Sequence, residues 1–302
     1  MFPAMMDICS QRILRWERYV GAEIDVCDNF TRLTLDTVAL CSFSYRFNSF
    51  YEKTMHRFVD AMINVLIESG RRVGRLCIQN KLLIRTNRQY NDDIKYMHNL
   101  CDEIVKERRE HPNNVNDLLN RMINGKDSET GYQLSDENIR YQMLTFLVAG
   151  HETTSGLLSF AMYYLLKNPH SLQKVQAEEV DQYSEIAIDT LSKLQYIDAV
   201  LKETLRLHPT APAFVLEPKE DNIILPGGYI VPKNDDIVVF LPQLHCDPKV
   251  WDRREEFLSE RMLNGGFEKL PPNSWKPFGN GQRGCIGRPF AWQESLLAIT
   301  YC

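Results

Sequence analysis

Apolar residues recur at helical spacing along most of the first two thirds of the chain. Residues 30–40 and 51–67 place hydrophobic side chains three or four positions apart, and residues 88–109 form a charged amphipathic run that ends at His111 and Pro112. Such spacing puts the apolar side chains on one face of a helix, which can then pack against a core. The pattern therefore predicts a mainly α-helical fold for this part of the chain.

The longest periodic segment covers residues 136–167. Ser135 can cap its first turn, the acidic Asp136 suits the positive end of a helix dipole, and Asn168 with Pro169 stops the helix. A helix of this length extends over about 48 Å, which is enough to cross a whole domain.

Five consecutive polar residues, 151–155, interrupt the centre of this apolar helix. Ala149, Gly150 and Thr153 fall on one face at helical spacing, so a flat ligand could approach the backbone with a hydroxyl beside it. A kinked core helix with satisfied hydroxyls accounts for the same residues, and the segment alone does not decide between the two. A zinc metalloprotease is excluded, because its motif needs a histidine where Ser155 stands.

A second helix is predicted at residues 194–207, before His208 and Pro209. Glu203 and Arg206 lie three positions apart on one face and can pair. Neighbouring leucines suggest partial burial, but the segment alone favours an ordinary surface salt bridge, which contributes little to stability.

The chain then changes character over residues 214–241. Short β-type runs at 223–225, 229–231 and 237–240 are separated by turns rich in proline and glycine. These runs predict one small antiparallel sheet.

The glycine-rich segment around Cys285 has three interpretations. Gly279, Gly281 and Gly284 form a G-x-G-x-x-G pattern, but a dinucleotide site needs a strand before it and a βαβ unit around it, and prolines precede this one. A nucleophilic cysteine would need a partner histidine, and none lies nearby in the sequence. A thiolate that binds a metal explains more of the segment.

Several features would support a thiolate at Cys285. The glycine-rich backbone can turn sharply and direct N–H groups at the sulfur, and a helix predicted at 288–300, with Pro289 in its first turn, would place its positive end there. Arg283 can pair with an anionic group of a cofactor, and Phe278 can shield the sulfur from water. A single thiolate without cysteine or histidine partners suits haem, whose porphyrin supplies four further ligands.

Composition argues against several classes of protein. The 302-residue chain has a net charge of −5, which disfavours nucleic-acid binding. No stretch reaches the roughly 18 apolar residues of a membrane span, and the first residues lack the basic and apolar regions of a signal peptide. Eight cysteines without a C-x-x-C pair favour a reducing compartment, so we expect a cytoplasmic protein.

One stretch is strongly basic and contains no acidic residue between positions 71 and 88. A solvated helix-and-loop face is the better interpretation, and the alternative is a surface that attracts carboxylate ligands or a partner. The basic residues are Arg71, Arg72, Arg75, Lys81, Arg85 and Arg88.

Three motifs, in the right order, together resemble the cytochrome P-450 family. Residues 149–154 match its oxygen-groove motif, and Glu203 with Arg206 matches its E-x-x-R pair. The residues that match its haem-binding signature are Phe278, Gly281, Arg283, Cys285 and Gly287.

A fourth segment is similar to the P-E-R-F segment of that family. Its Arg261 would complete a triad with Glu203 and Arg206, which would give the pair a structural role. The segment departs from the pattern at Ser259 and Met262, and Cys246 after His245 stands where many members have arginine.

Further segments resemble one subfamily, the self-sufficient fatty-acid hydroxylases of bacteria and fungi, in which a haem domain is fused to an FAD/FMN reductase fed by NADPH. Residues 275–277 and 287–292 look closer to the fungal branch. The other segments that carry this resemblance are 32–37, 45–51, 136–142, 150–160 and 209–214.

The resemblance implies a mainly α fold with a small antiparallel β region and haem b with Cys285 as its iron ligand. It implies catalytic roles for Thr153 and Glu152. The implied reaction inserts one atom of O₂ into a C–H bond, near the methyl end of a fatty acid, with electrons from NADPH passed on by a diflavin reductase. The other residues implied in haem binding are Phe146, Ala149, Ala211, Pro277, Phe278, Arg283 and Gly287.

By comparison with that family, we expect the N-terminal sheet and first helices, the final strands and the reductase with its FAD and FMN to lie outside these 302 residues. The loop at residues 181–188 also looks shortened. We therefore expect one incomplete haem domain over residues 1–302, which by itself lacks turnover. The alternative to an enzyme is a catalytically silent remnant that acts as a haem-binding or interaction protein.

Overall fold

The helical pattern of the sequence is present in the computed structural model, which describes residues 1–182 and 186–302. Two compact units, residues 1–155 and 156–302, make up the chain, and their boundary lies within the longest helix. The elements that begin in the first unit are α1 (Phe2–Glu17), α2 (Val26–Phe43), α3 (Arg57–Val73), α4 (Cys77–Leu82), α5 (Ile84–Glu110), α6 (Leu118–Asn124) and α7 (Asp136–Lys167).

The second unit contains the end of α7, further helices and all the strands of the described chain. Two short 3-10 turns, Ser259–Met262 and Gly281–Arg283, also belong to it. Its other elements are α8 (Pro169–Gln182), α9 (Ile188–Leu191), α10 (Gln195–Leu207), β1 (Ala213–Leu216), β2 (Ile223–Leu225), β3 (Tyr229–Val231), β4 (Ile237–Phe240), α11 (Leu241–Leu244) and α12 (Arg288–Thr300).

The predicted helix at 136–167 is confirmed at both ends by α7. The Asn138 N–H donates to Ser135 Oγ over 3.3 Å, which caps the first turn. In the residues that the structure describes, no helix is both long and apolar enough to cross a bilayer. The loop expected to be shortened, 181–188, includes residues 183–185, which lie outside the described residues.

The helix predicted at 51–67 is wrong at its start, because α3 begins at Arg57. The residues before it form no helix. Phe50, which is buried, lies in a turn. His56 sets the true start, because its Nδ1 accepts a hydrogen bond from the Phe58 N–H at 3.1 Å. A ring nitrogen thus satisfies one of the unpaired donors of the first turn.

The strands form two sheets rather than the single sheet that the sequence predicts. β2 pairs with β3 as an antiparallel hairpin across Gly227 and Gly228, both with positive φ. β4 pairs instead with β1, from Ala213↔Phe240 to Leu216↔Ile237. The β1 strand was not expected, and its partner lies too far along the chain for local pattern to reveal the pairing.

In the first unit, α2 packs closely against the centre of α7. A Cβ added to Gly150 would lie 3.1 Å from Val38 Cγ2, so glycine is what permits this approach. Thr34 Oγ1 on α2 donates to the His151 carbonyl at 3.0 Å. The small residue therefore serves helix packing at this position.

Two arginines of the basic stretch pair with an acidic residue from outside it, although the sequence has no acid between positions 71 and 88. Glu68 lies one turn upstream on α3 and forms salt bridges with Arg72 at 3.2 Å and Arg75 at 2.6 Å. Arg72 also lies over the Tyr90 ring, 3.7 Å from its centroid. The Lys81 side chain lies outside the described residues.

Candidate cofactor site

Residues 275–287 form a tight loop, called here the cysteine loop, that ends where α12 begins. Its backbone bonds to itself: the Cys285 N–H donates to the Phe278 carbonyl at 2.8 Å, and the Gly279 N–H donates to the Lys276 carbonyl at 3.1 Å. Gly279 and Gly281 have φ values of +64° and +63°, a region that side chains disfavour. The path of this loop therefore requires these two glycines of the motif.

The Cys285 side chain is exposed at the end of the loop. A Cβ at position 287 would lie 3.9 Å from its Sγ atom, so Gly287 keeps one side of the sulfur open. The adjacent Ile286 is 85% exposed, which places an apolar surface beside the sulfur. The expected N–H donors to the sulfur are not observed, since no group of the described residues donates to Cys285 Sγ.

Phe278 belongs to an aromatic cluster at the base of the loop. Its ring lies edge-on to Trp292, with centroids 6.0 Å apart, and tilted against Trp275 at 6.2 Å. The Arg288 guanidinium lies 5.4 Å from the centroid of the Phe278 ring, in a cation–π arrangement. Phe278 thus anchors the loop, and the exposure of Cys285 shows that this ring does not by itself shield the sulfur.

Two tryptophans tie the cysteine loop and α12 to α10. The Trp275 indole N–H donates to the Lys202 carbonyl at 3.1 Å. The Trp292 indole N–H donates to Asp198 Oδ1 at 2.8 Å, and Asp198 also pairs with the Lys202 ammonium at 2.7 Å. Neither tryptophan was identified as a site residue from the sequence, because the bond that each makes depends on packing against a distant helix.

Glu203 and Arg206 of α10 form a fully buried pair, which overturns the surface interpretation. Both are 0% exposed, and the two Arg206–Glu203 hydrogen bonds are 2.8 Å each. Arg261 Nε lies 3.2 Å from Glu203 Oε1, so the predicted triad is present. The Leu258 N–H also donates to that carboxylate, at 3.0 Å.

Arg206 also connects the pair to a loop of the second unit by hydrogen bonds. Its remaining N–H groups donate to the carbonyls of His245, Arg254 and Glu256 at 3.1, 2.7 and 3.0 Å. A planar guanidinium with five donors suits this task, since one side chain then binds a carboxylate and three peptide groups. The pair is therefore an internal brace.

The polar residues at the centre of α7 divide into buried and exposed groups. His151 and Thr154 are buried; His151 Nδ1 bonds to the Leu147 carbonyl at 2.6 Å, and Thr154 Oγ1 donates to the Gly150 carbonyl at 3.2 Å. Burial lowers the pKa of His151, which keeps the ring neutral. These residues follow the interpretation of a core helix with satisfied polar groups.

Glu152 and Thr153 are exposed, as is Ala149 one turn before them, while Phe146 is half-buried. Thr153 Oγ1 donates to the Ala149 carbonyl at 2.8 Å, so its lone pairs remain available to a ligand. Gly150 does not share this face, because its α-carbon approaches Val38. The predicted face of Ala149, Gly150 and Thr153 is therefore correct only for the first and third.

The site residues expected from the sequence lie in both units. The first unit contains Phe146, Ala149, Glu152 and Thr153, and the second contains Ala211, Pro277, Phe278, Arg283, Cys285 and Gly287. Ala211 is exposed between α10 and β1. A Cβ added to Gly156 would lie 3.0 Å from Cγ2 of the adjacent Thr210.

The donor set suits a metal that brings most of its own ligands. In residues 1–182 and 186–302, no three histidine, cysteine or acidic side chains gather as a metal site. Cys285 offers one exposed sulfur, and the exposed Arg283 guanidinium makes no hydrogen bond or salt bridge with any described residue. One thiolate with a nearby unpaired cation fits haem, whose porphyrin supplies four nitrogens and whose propionates are anionic.

The chain is similar throughout its length to one family. The model described as cytochrome P-450 matches residues 1–302. The chain is 51% identical, over 99% of its length, to a self-sufficient cytochrome P-450 monooxygenase of Phanerodontia chrysosporium. Bifunctional cytochrome P-450/NADPH–P-450 reductases of Aspergillus oryzae and Fusarium oxysporum are 50% and 49% identical over 99% of the chain. The chain spans 29%, 28% and 29% of these three relatives.

Proposed function

The chain belongs to the cytochrome P-450 family, as its motifs predicted, and we propose that it forms the haem-binding part of a monooxygenase in which Cys285 ligates the iron. The observation that carries this proposal is the exposed Cys285 sulfur on a loop whose backbone is fixed by its own hydrogen bonds. Haem with a thiolate ligand supplies the chemistry that cleaves the O–O bond.

The loop residues bind and orient the cofactor in this proposal. Arg283 would pair with a propionate, Gly287 would leave room beside the sulfur, and Pro277 would contact the porphyrin next to Phe278, whose ring anchors the loop. Phe146, Ala149 and Ala211 contribute apolar contacts to the porphyrin.

Thr153 and Glu152 handle protons in the same proposal. The Thr153 hydroxyl already donates to the Ala149 carbonyl, and its oxygen can accept a hydrogen bond from a bound ligand or water. The exposed Glu152 carboxylate can take a proton from solvent and give it to this hydroxyl, which then releases its own proton to a bound ligand or water. Positioned groups of this kind typically contribute about 10²–10⁴-fold to a rate.

Three relatives supply the finer part of the proposal. One is named a self-sufficient cytochrome P-450 monooxygenase, and two are named bifunctional cytochrome P-450/NADPH–P-450 reductases. We therefore assign the electron donor to a diflavin reductase with FAD, FMN and NADPH, acting within the longer protein or as a partner. The substrate is a fatty acid hydroxylated near its methyl end, as the resemblance of the sequence implies, and the cytoplasmic location stays a prediction.

Haem titration of the purified chain, followed by the spectrum of the ferrous CO complex, tests the iron ligand. The wild type should take up one haem and show the red-shifted Soret band of a thiolate complex. Cys285→His should lose this band, whereas Cys27→Ser, which removes another exposed cysteine, should keep it. A Cys285→His variant with the red-shifted band would refute the assignment, and a wild-type chain without haem uptake would favour a silent remnant.

A further inference from the structure

His245 ends α11 and lies between the buried pair of α10 and the cysteine loop. Its carbonyl accepts a hydrogen bond from Arg206 Nη1 at 3.1 Å. Its ring Nε2 accepts the Lys276 N–H at 2.9 Å. The residue is 0% exposed, so water cannot replace either bond.

Further backbone hydrogen bonds link Lys276 to Cys285 through the loop. The Lys276 carbonyl accepts the Gly279 N–H at 3.1 Å, and the Phe278 carbonyl between them accepts the Cys285 N–H at 2.8 Å. A backbone N–H can only donate, so Nε2 must keep its lone pair. Burial favours that state, because it lowers the pKa of His245 to about 4.

We propose that His245 is a positioning residue for the haem thiolate, which couples the buried Glu203–Arg206 pair to the cysteine loop by accepting the Lys276 N–H. The effect of His245 on a haem thiolate rests on the proposed function. The hydrogen bonds through which His245 couples the pair to the loop are present in the chain itself. In the sequence, His245 is notable only as the neighbour of Cys246, where many family members have arginine.

The bond can be removed while the size of the side chain is kept. His245→Leu fills much of the same volume without an acceptor. His245→Gln places an amide oxygen at about the reach of Nε2 and should restore the bond. His56→Leu is the matched control, because His56 Nδ1 also accepts a backbone N–H, that of Phe58, in the other unit.

The first measurement is hydrogen–deuterium exchange at the Lys276 and Gly279 amides in the full chain. Loss of one buried hydrogen bond should speed exchange about tenfold in His245→Leu, and His245→Gln should return it towards the wild-type rate. His56→Leu should leave these amides unchanged. If His245→Leu does not fold, His245→Asn, whose shorter side chain does not reach as far, takes its place.

The second measurement is the ferrous CO spectrum of the haem-loaded variants. His245→Leu should show a mixture of the red-shifted band and the unshifted band of a lost thiolate, and His245→Gln should restore the red-shifted band. Exchange in His245→Leu at the wild-type rate, or a His245→Gln variant as perturbed as His245→Leu, would overturn the inference. A wild type without the red-shifted band would contradict the proposed function, while the exchange rates would still decide the role of His245.

Discussion

Arg206 lies at the centre of the buried polar network, and its replacement by methionine should lower the free energy of unfolding by about 4–5 kcal/mol. Breaking a buried pair by removing one partner typically costs about 3–5 kcal/mol. The upper part of this range applies because the three carbonyls that Arg206 binds also lose a donor. A domain has only about 5–15 kcal/mol of net stability, so this variant should be close to unfolding.

Glu203→Gln should cost less, about 2–3 kcal/mol, because glutamine loses the charge and the oxygen that accepts from Arg206 Nε but keeps one acceptor oxygen. The glutamine oxygen still accepts from Leu258 and Arg206, and Arg206 keeps its three carbonyl partners. An exposed pair on α5, Lys106 with Glu110, offers the control: both side chains are more than half exposed and lie 3.8 Å apart. Glu110→Gln should therefore change stability by less than about 1 kcal/mol.

Urea titration followed by tryptophan fluorescence measures these losses, because Trp251, Trp275 and Trp292 lie in the second unit and Trp16 lies in the first. Arg206 is also 5.2 Å from the centroid of the Trp251 ring, so the probe is local. At an m-value of about 3 kcal/mol/M, Arg206→Met should shift the midpoint by more than about 1 M. The reasoning fails if Arg206→Met shifts it no further than Glu110→Gln, or if Glu203→Gln is the more damaging change.

Three other changes test separate parts of the structure. Gly150→Ala should lower the free energy of unfolding by about 1–2 kcal/mol in the urea titration, because its Cβ would meet Val38. Adding Val38→Ala should recover part of this loss, and additive losses in the double variant would contradict the packing. The folded pKa of His245, about 4, lies below its ordinary 6.5, so stability should fall by up to about 3 kcal/mol as the pH drops from 6.5 to 4. Burial lowers this pKa most, and the nearby positive charge of Arg206 lowers it further. His245→Gln should therefore flatten the dependence of stability on pH between 6.5 and 4, and an unchanged slope would count against a buried neutral ring. In a form of the protein supplied with its reductase, Thr153→Ala should bind haem normally but divert NADPH-derived electrons to peroxide, and unchanged coupling of NADPH use to product would remove Thr153 from the proposal.

The sequence predicted those helices whose ends carry a capping residue or a proline. The α7 helix begins after the cap at Ser135 and ends before Pro169, and both signals act within a few residues of the helix end. The start of α3 was missed, because a histidine at position 56 supplies the capping acceptor in place of the usual Ser, Thr, Asp or Asn. The pairing of β1 with β4 was missed as well, because strand pairing depends on contacts between residues far apart in sequence.

The site shows the same division between local pattern and long-range packing. The motif residues of the cysteine loop were identified as candidates because a short run of glycines around a single cysteine, Cys285, is typical of few kinds of site. The burial of Glu203 and Arg206 was not predictable from their helix, since the groups that enclose Arg206 belong to residues 245–256. Trp275, Trp292 and His245 were missed for the same reason, because each acts through one hydrogen bond to a distant segment.

The cysteine loop and two neighbouring segments, α12 and the residue after α11, attach to α10 at one spacing, and that spacing helps to explain how the sulfur is held. Asp198 binds Trp292, the Lys202 carbonyl binds Trp275, and Arg206 binds the carbonyl of His245. Residues 198, 202 and 206 are four apart, so they lie along one face of the helix over about 12 Å. A hydrogen-bonded helix behaves as a rigid rod on this scale, so both ends of the loop are fixed to a single body. The position of Cys285 therefore follows both from the attachment to α10 and from the hydrogen bonds within the loop, whose path Gly279 and Gly281 permit.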